Sequence, residues 1–274
     1  MAQTSQLVSP AAHPRGAATA SGQPRMIFDP WQTQWAVASV MAATHGTRAR
    51  VAQLQQLRLR QLFDAARRAG VYRERLAGLD SPSDLQRIAP VTRAELMARF
   101  DEWVCDPALD LDELHALVAD ASRAGEPWLG RYQIWESSGT SGQPGIFVQD
   151  ARSLAIYDAL EWVRSRGPRR RPAHGWFGAA MHVGLLSLTD RYALVVATEG
   201  HFASVVNFER LRRINPWLGA VSHSFDLLGA TDELVRQLNH FQPTVLGTYP
   251  TAAAYLAAEA LSGRLRIAPH SIMT

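Results

Sequence analysis

Residues 131–150 read "RYQIWESSGTSGQPGIFVQD", and the fold turns on how this stretch is divided. "RYQIWE" and "IFVQD" are aromatic and β-branched runs of strand length, and "SSGTSGQPG" between them suits neither helix nor strand. The spacing predicts a hairpin-like turn over residues 137–145. Two readings of that turn stay open. It is a flexible Ser/Gly joint, or it is a nest in which Gly139, Gly142 and Gly145 let backbone N–H groups converge on an anion. In the second reading Ser137, Ser138, Thr140 and Ser141 add hydroxyl donors. The flanking strands weigh against a joint, since a linker connects domains rather than neighbouring strands.

Three familiar loop templates fail. Counting from Gly139, the second glycine of a Walker loop falls on Pro144. The second glycine of a dinucleotide fingerprint falls on Ser141. A nucleophile elbow centred on Ser141 needs glycine at Gln143.

Upstream, residues 50–78 repeat apolar side chains at three- and four-residue steps. Leu54, Leu57, Leu62, Phe63 and Ala66 form a stripe with arginines opposite, which predicts an amphipathic helix broken near Gly70. "PVTRAEL" carries a capping box, with Thr92 as cap and Glu95 reaching back. Residues 109–124 predict a further helix stopped by Gly125. Downstream, helix and strand alternate. Helices are expected over 151–166, over 230–241 with Thr231 as cap, and over 250–263 with Pro250 at the start and Gly263 at the stop. "GWFGAA", "YALVVAT", "AVSHSF", "TVLGTY" and the terminal "PHSIMT" read as strands. The fold class is therefore α/β: a helical N-terminal region to about residue 126, then a sheet with packed helices from about 127. Residues 1–26 read as a disordered tail without the apolar core of a signal peptide.

All 28 basic residues of the 274 are arginine, so no lysine is present to act as nucleophile or base. The single cysteine, Cys105, excludes an intrachain disulfide and a cysteine-built metal site. A reducing cytoplasm fits that usage, and no window predicts a membrane span. The arginine turn "RSRGPRRRP" lacks interleaved aromatics or a nucleic-acid module, so neither nucleic acid nor membrane is expected as a partner.

"SSGTSGQPG" resembles the phosphate-binding signature of the acyl- and aryl-adenylate-forming (AMP-binding) enzymes, most nearly the phenylacetate–CoA ligase-like branch. The lead-in "LRQLFDAARRAGVYRERLAG" with "LQRIAPVTRAEL", and the later "NHFQPTVLGTYPTAAAYLAAEALSGRLRI", are similar to segments of that branch in the same order. The resemblance spans roughly residues 55–274. It implies the incomplete large domain of an adenylate-forming enzyme over residues 27–274. It also implies ATP with magnesium as cofactors, a carboxylic acid substrate, and CoA or a carrier protein as thiol acceptor. By position, Ser137, Ser138, Gly139, Thr140, Ser141 and Gly142 would meet the phosphates, and Pro144 would stiffen the exit. Gly145 departs from the pattern, standing where the family usually has lysine.

"HGWFGAAMHVG", residues 174–184, resembles the aromatic segment beside the family's acyl pocket. Trp176 and Phe177 then read as a wall against the acid's apolar tail, or equally as strand core. His201 follows a strand and a glycine, a setting for substrate contact, although a lone histidine is more often structural. No catalytic residue or metal ligand is assigned. The family's later nucleotide motifs and its catalytic lysine have no counterpart here, so the chain reads as an N-terminal part, expected to be inactive by itself. The alternative is a degenerate, non-catalytic fragment serving as a binding or scaffold module.

Overall fold

The computed structural model describes residues 27–79, 82–137, 144–166 and 190–274. The tail 1–26, the strand expected at "GWFGAA" and the arginine turn after Arg166 lie outside the described residues.

The N-terminal region is helical, and most of its longer helices start on a side chain suited to the task. α1 (Pro30–Thr44) begins under Asp29, whose carboxylate accepts from the N–H groups of Trp31 and Gln32. Thr47 caps α2 (Arg48–Ala66), which is followed by the short α3 (Gly70–Arg75). Thr92 caps α4 (Arg93–Ala98), α5 spans Phe100–Trp103, and Asp110 caps α6 (Leu111–Val118). Each such cap satisfies one or two of the N–H groups that a helix start leaves open.

Three expectations need correction here. The stripe on α2 is not a buried face: Phe63 is 5% exposed, but its neighbour Leu62 is 64% exposed and Leu57 48%. Adjacent helical residues point about 100° apart, so a narrow contact admits Phe63 and turns Leu62 outward. Phe63 packs with Leu76 and Leu79. Glu95 does not reach back in a capping box, because its carboxylate pairs with Arg75. The helix expected over 109–124 stops at Val118. Asp120 then receives the N–H and hydroxyl of Ser122 and redirects the chain into a single tight turn, Ala121–Arg123.

β1 (Tyr132–Glu136) and β2 (Ile146–Asp150) pair antiparallel, from Tyr132 opposite Asp150 to Glu136 opposite Ile146. The expected hairpin is present. Ile134 and Ile146 pack with Phe100, Leu114 and Leu117 in the core of the helical region. α7 (Ala151–Arg166) returns from β2 and packs along α1, where Ala36, Ala155 and Ala159 allow close approach.

The second sheet is parallel. β3 (Tyr192–Val196) leads to α8 (Ala203–Ile214) and α9 (Pro216–Val221), then β4 (Ser222–Asp226) and α10 (Thr231–Phe241). β5 (Val245–Thr248), α11 (Pro250–Leu261) and β6 (Ser271–Met273) complete it. The strand order is β4-β3-β5-β6. Helical crossovers are what parallel neighbours require. Val195, Phe225, Leu234, Leu238, Leu246 and Leu256 form its core. The strand expected from Ala220 begins at Ser222, because Asn215 and Pro216 start α9 first. Thr231 is not the cap of α10. Ala230 holds that position, and the Thr231 hydroxyl accepts instead from Tyr255.

The two regions meet at a buried ion pair. Arg210 of α8, 2% exposed, pairs with Asp158 of α7 and also donates to Asn207 Oδ1 at 2.8 Å. Burial pushes the Asp158 carboxyl above its usual range, with the guanidinium pulling the other way. Gly125 has φ +80, and a Cβ there would stand 2.8 Å from the Arg210 backbone nitrogen, so glycine is required on both counts. Among the described residues no helix is long and apolar enough to cross a membrane.

Candidate functional site

The last rungs of the hairpin set the geometry of the Ser/Gly turn. Trp135 and Phe147 face each other across β1 and β2 with rings stacked at 4.6 Å. Beyond them the Ser137 N–H donates to the Gly145 carbonyl at 3.0 Å. The Gly145 N–H donates back to Ser137 Oγ at 2.9 Å. Residues 137 and 145 thus form a closed neck. Pro144 stands exposed on the exit side. Ser138, Gly139, Thr140, Ser141 and Gly142 lie outside the described residues, as do Trp176 and Phe177.

A side chain from 44 residues upstream joins the neck. Arg93, the first residue of α4, donates from Nη1 to Ser137 Oγ at 3.1 Å. A Cβ at position 145 would lie 2.7 Å from Arg93 Cδ and 3.0 Å from Cγ. "PVTR" signals only that Arg93 opens a helix. Nothing local in the sequence says which loop it reaches.

Glu136, just before the neck, ties β1 to the parallel region. Its N–H donates to the His201 carbonyl at 2.8 Å, and its Oε1 accepts from the His201 N–H at 3.3 Å. The His201 imidazole is 1% exposed, with Nε2 2.8 Å from the Asp120 carbonyl. A carbonyl only accepts, so Nε2 carries a proton. Nδ1 has no hydrogen-bond partner among the described residues. His201 is therefore an interior bridge between the turn at Asp120 and the start of α8.

Two further features border the hairpin. A cavity of about 390 Å³ opens beside the loop exit, lined by Pro144, by Ala94, Met97 and Ala98 of α4, and by Leu111 and His115 of α6. At the opposite end the Tyr132 hydroxyl donates to Asp106 Oδ2 at 2.7 Å, and Arg131 pairs with the same carboxylate. The tyrosine bond and the Ala108 N–H hold Asp106 below the usual carboxylate range. Burial first, then that bond, pushes Tyr132 up to about 12.

Among the described residues no group of three or more His, Cys, Asp or Glu side chains stands together as a metal site. The described part of the site thus comprises one guanidinium, one hydroxyl, a backbone neck and an adjacent apolar cavity. Such a set can hold an oxyanion beside an apolar body. No family model matches the chain, and no curated protein matches it.

Proposed function

We propose that this chain is the N-terminal region of an ATP-dependent ligase that adenylates a carboxylic acid before its transfer to CoA or a carrier thiol. One observation carries the reading. The Ser/Gly stretch that resembles the family's phosphate loop spans the tip of a two-stranded hairpin in an α/β fold, with an arginine bound at its neck. A flexible joint between domains would have no reason for that neck.

The residues present fit a phosphate oxygen. Ser137 Oγ accepts from Arg93 and from Gly145, so both its lone pairs are engaged and its proton is left to donate. When bound, ATP supplies the phosphoanhydride whose cleavage activates the acid. The chain's own part is to position and neutralise charge, which is most of what phosphoryl chemistry asks of a protein. Ser137 with Ser138, Gly139, Thr140, Ser141 and Gly142 would donate to the phosphates, and Pro144 would limit movement at the exit. Trp176 and Phe177 belong to the acid side of the same proposal. Magnesium is part of it too, but the described residues offer no cluster to hold the ion, and no step is assigned to it.

The test is acid-dependent pyrophosphate exchange with a panel of aryl and fatty acids, together with titration of ATP. Exchange or saturable ATP binding that is lost in Gly139→Ala with Gly142→Ala supports the reading. Absence of both exchange and binding in the parent chain sinks it.

A further inference from the structure

Residues 137–145 contain no charged side chain, yet the neck of this loop is charged. The charge comes from Arg93, and the structure is shaped to receive it. Gly145 is buried, and the arginine stem occupies the space where any side chain at 145 would begin. Phe147 Cε2 lies 3.3 Å from the same point, so stem and ring crowd one position together. At the end of that stem the guanidinium meets Ser137 Oγ. Arginine stays protonated at every working pH. A hydroxyl that accepts from a cation becomes a stronger donor of its own proton.

We propose that Arg93 is a ligand-contacting residue of the loop, supplying the positive charge for a phosphoryl group held at Ser137, and that Gly145 is glycine to admit it. This rests on the nucleotide reading above and adds to it a residue from outside the loop. The ligand class is a polyphosphate or its ester, because a guanidinium beside a polarised hydroxyl donor matches a multiply charged tetrahedral oxyanion.

The probes are sodium tripolyphosphate and ATP, titrated calorimetrically into the purified chain, with thermal melting of every variant. Arg93→Gln is expected to weaken both probes by roughly tenfold to a hundredfold, the range for losing a charged hydrogen bond. Arg93→Lys should recover part of the loss, as a point charge without the fork. Arg236→Gln removes the same charge from an exposed helix face, its side chain being 70% exposed, and should stay within about twofold of the parent. Gly145→Ala should displace the stem and weaken binding alone, yet add nothing to Arg93→Gln. Unchanged affinity in Arg93→Gln, with the parent binding both probes, overturns the role of Arg93 and leaves the nucleotide reading standing. Equal losses in Arg93→Gln and Arg236→Gln also overturn it, as a general charge effect. A parent that binds neither probe removes both proposals together. If Arg93→Gln fails to fold, Arg93→Lys and Gly145→Ala decide the matter by the same titration.

Discussion

Most helices before residue 127, all but the short α3 and α5, begin differently from most of those of the parallel sheet. In the first group α1, α2, α4 and α6 start under Asp29, Thr47, Thr92 and Asp110, each accepting from the first turn. In the second, α8, α10 and α11 start at Phe202, Ala230 and Tyr249 with no side-chain cap, and only α9 has one, Asn215. A capped helix carries its own boundary. An uncapped crossover helix depends on the strand before it and the sheet beneath it. The helical region is thus specified locally and the parallel region by packing, and substitutions should tell the two apart.

The largest effect is expected where α7, packed on α1, meets the parallel region. Arg210→Leu leaves Asp158 buried without its partner and should cost about 3–5 kcal/mol in urea unfolding. Replacing both residues with leucine should cost far less, because the pair's desolvation penalty disappears with it. Two wholly buried leucines come next. Leu114→Ala in the helical region and Leu238→Ala in the sheet should each cost about 2–5 kcal/mol. Both should shift one common transition; separate transitions would show that the regions fold independently.

The caps then test the comparison directly. Asp110→Ala should cost about 1 kcal/mol, and Ala230→Asp, at an exposed position with extended backbone, should gain a similar amount. If Ala230→Asp gains nothing, the start of α10 is already satisfied and the two groups of helices differ less than their caps suggest. The smallest effect concerns pH. Tyr132 titrates near 10 when unfolded and at about 12 when folded, so the folded state keeps a proton that the unfolded chain loses. That contribution is complete below pH 10 and fades as pH rises through 12. In alkaline unfolding Tyr132→Phe should lack this extra fall in stability.

The same contrast explains what the sequence made legible. The hairpin, α7, α10 and α11 could be read because alternation, periodicity, Pro250 and Gly263 act over a few residues. α1 was not read as an element, although Asp29 and Pro30 mark its start; Trp31 at 79% and Trp35 at 65% exposed blur its apolar face. α8 was missed because its apolar residues are interrupted by arginine, one of which, Arg210, is itself buried. The order β4-β3-β5-β6 is set by pairings between distant strands, about which no single segment carries information. At the site, Ser137 and Gly145 were visible as part of a motif. Arg93 was not, since only the folded chain brings α4 to the loop.

The bond between Glu136 and His201 has a consequence in time. The rest of the hairpin needs only a nine-residue turn to close, and hairpins of this kind form within about 1–10 µs. The final rung waits for a segment 65 residues further on. The loop is therefore born early but fixed late, when the sheet arrives to grip its base. Kinetic φ-values should divide accordingly, high at Val148 within the hairpin and near zero for Glu136→Gln. A high value at Glu136 would mean that the sheet comes first.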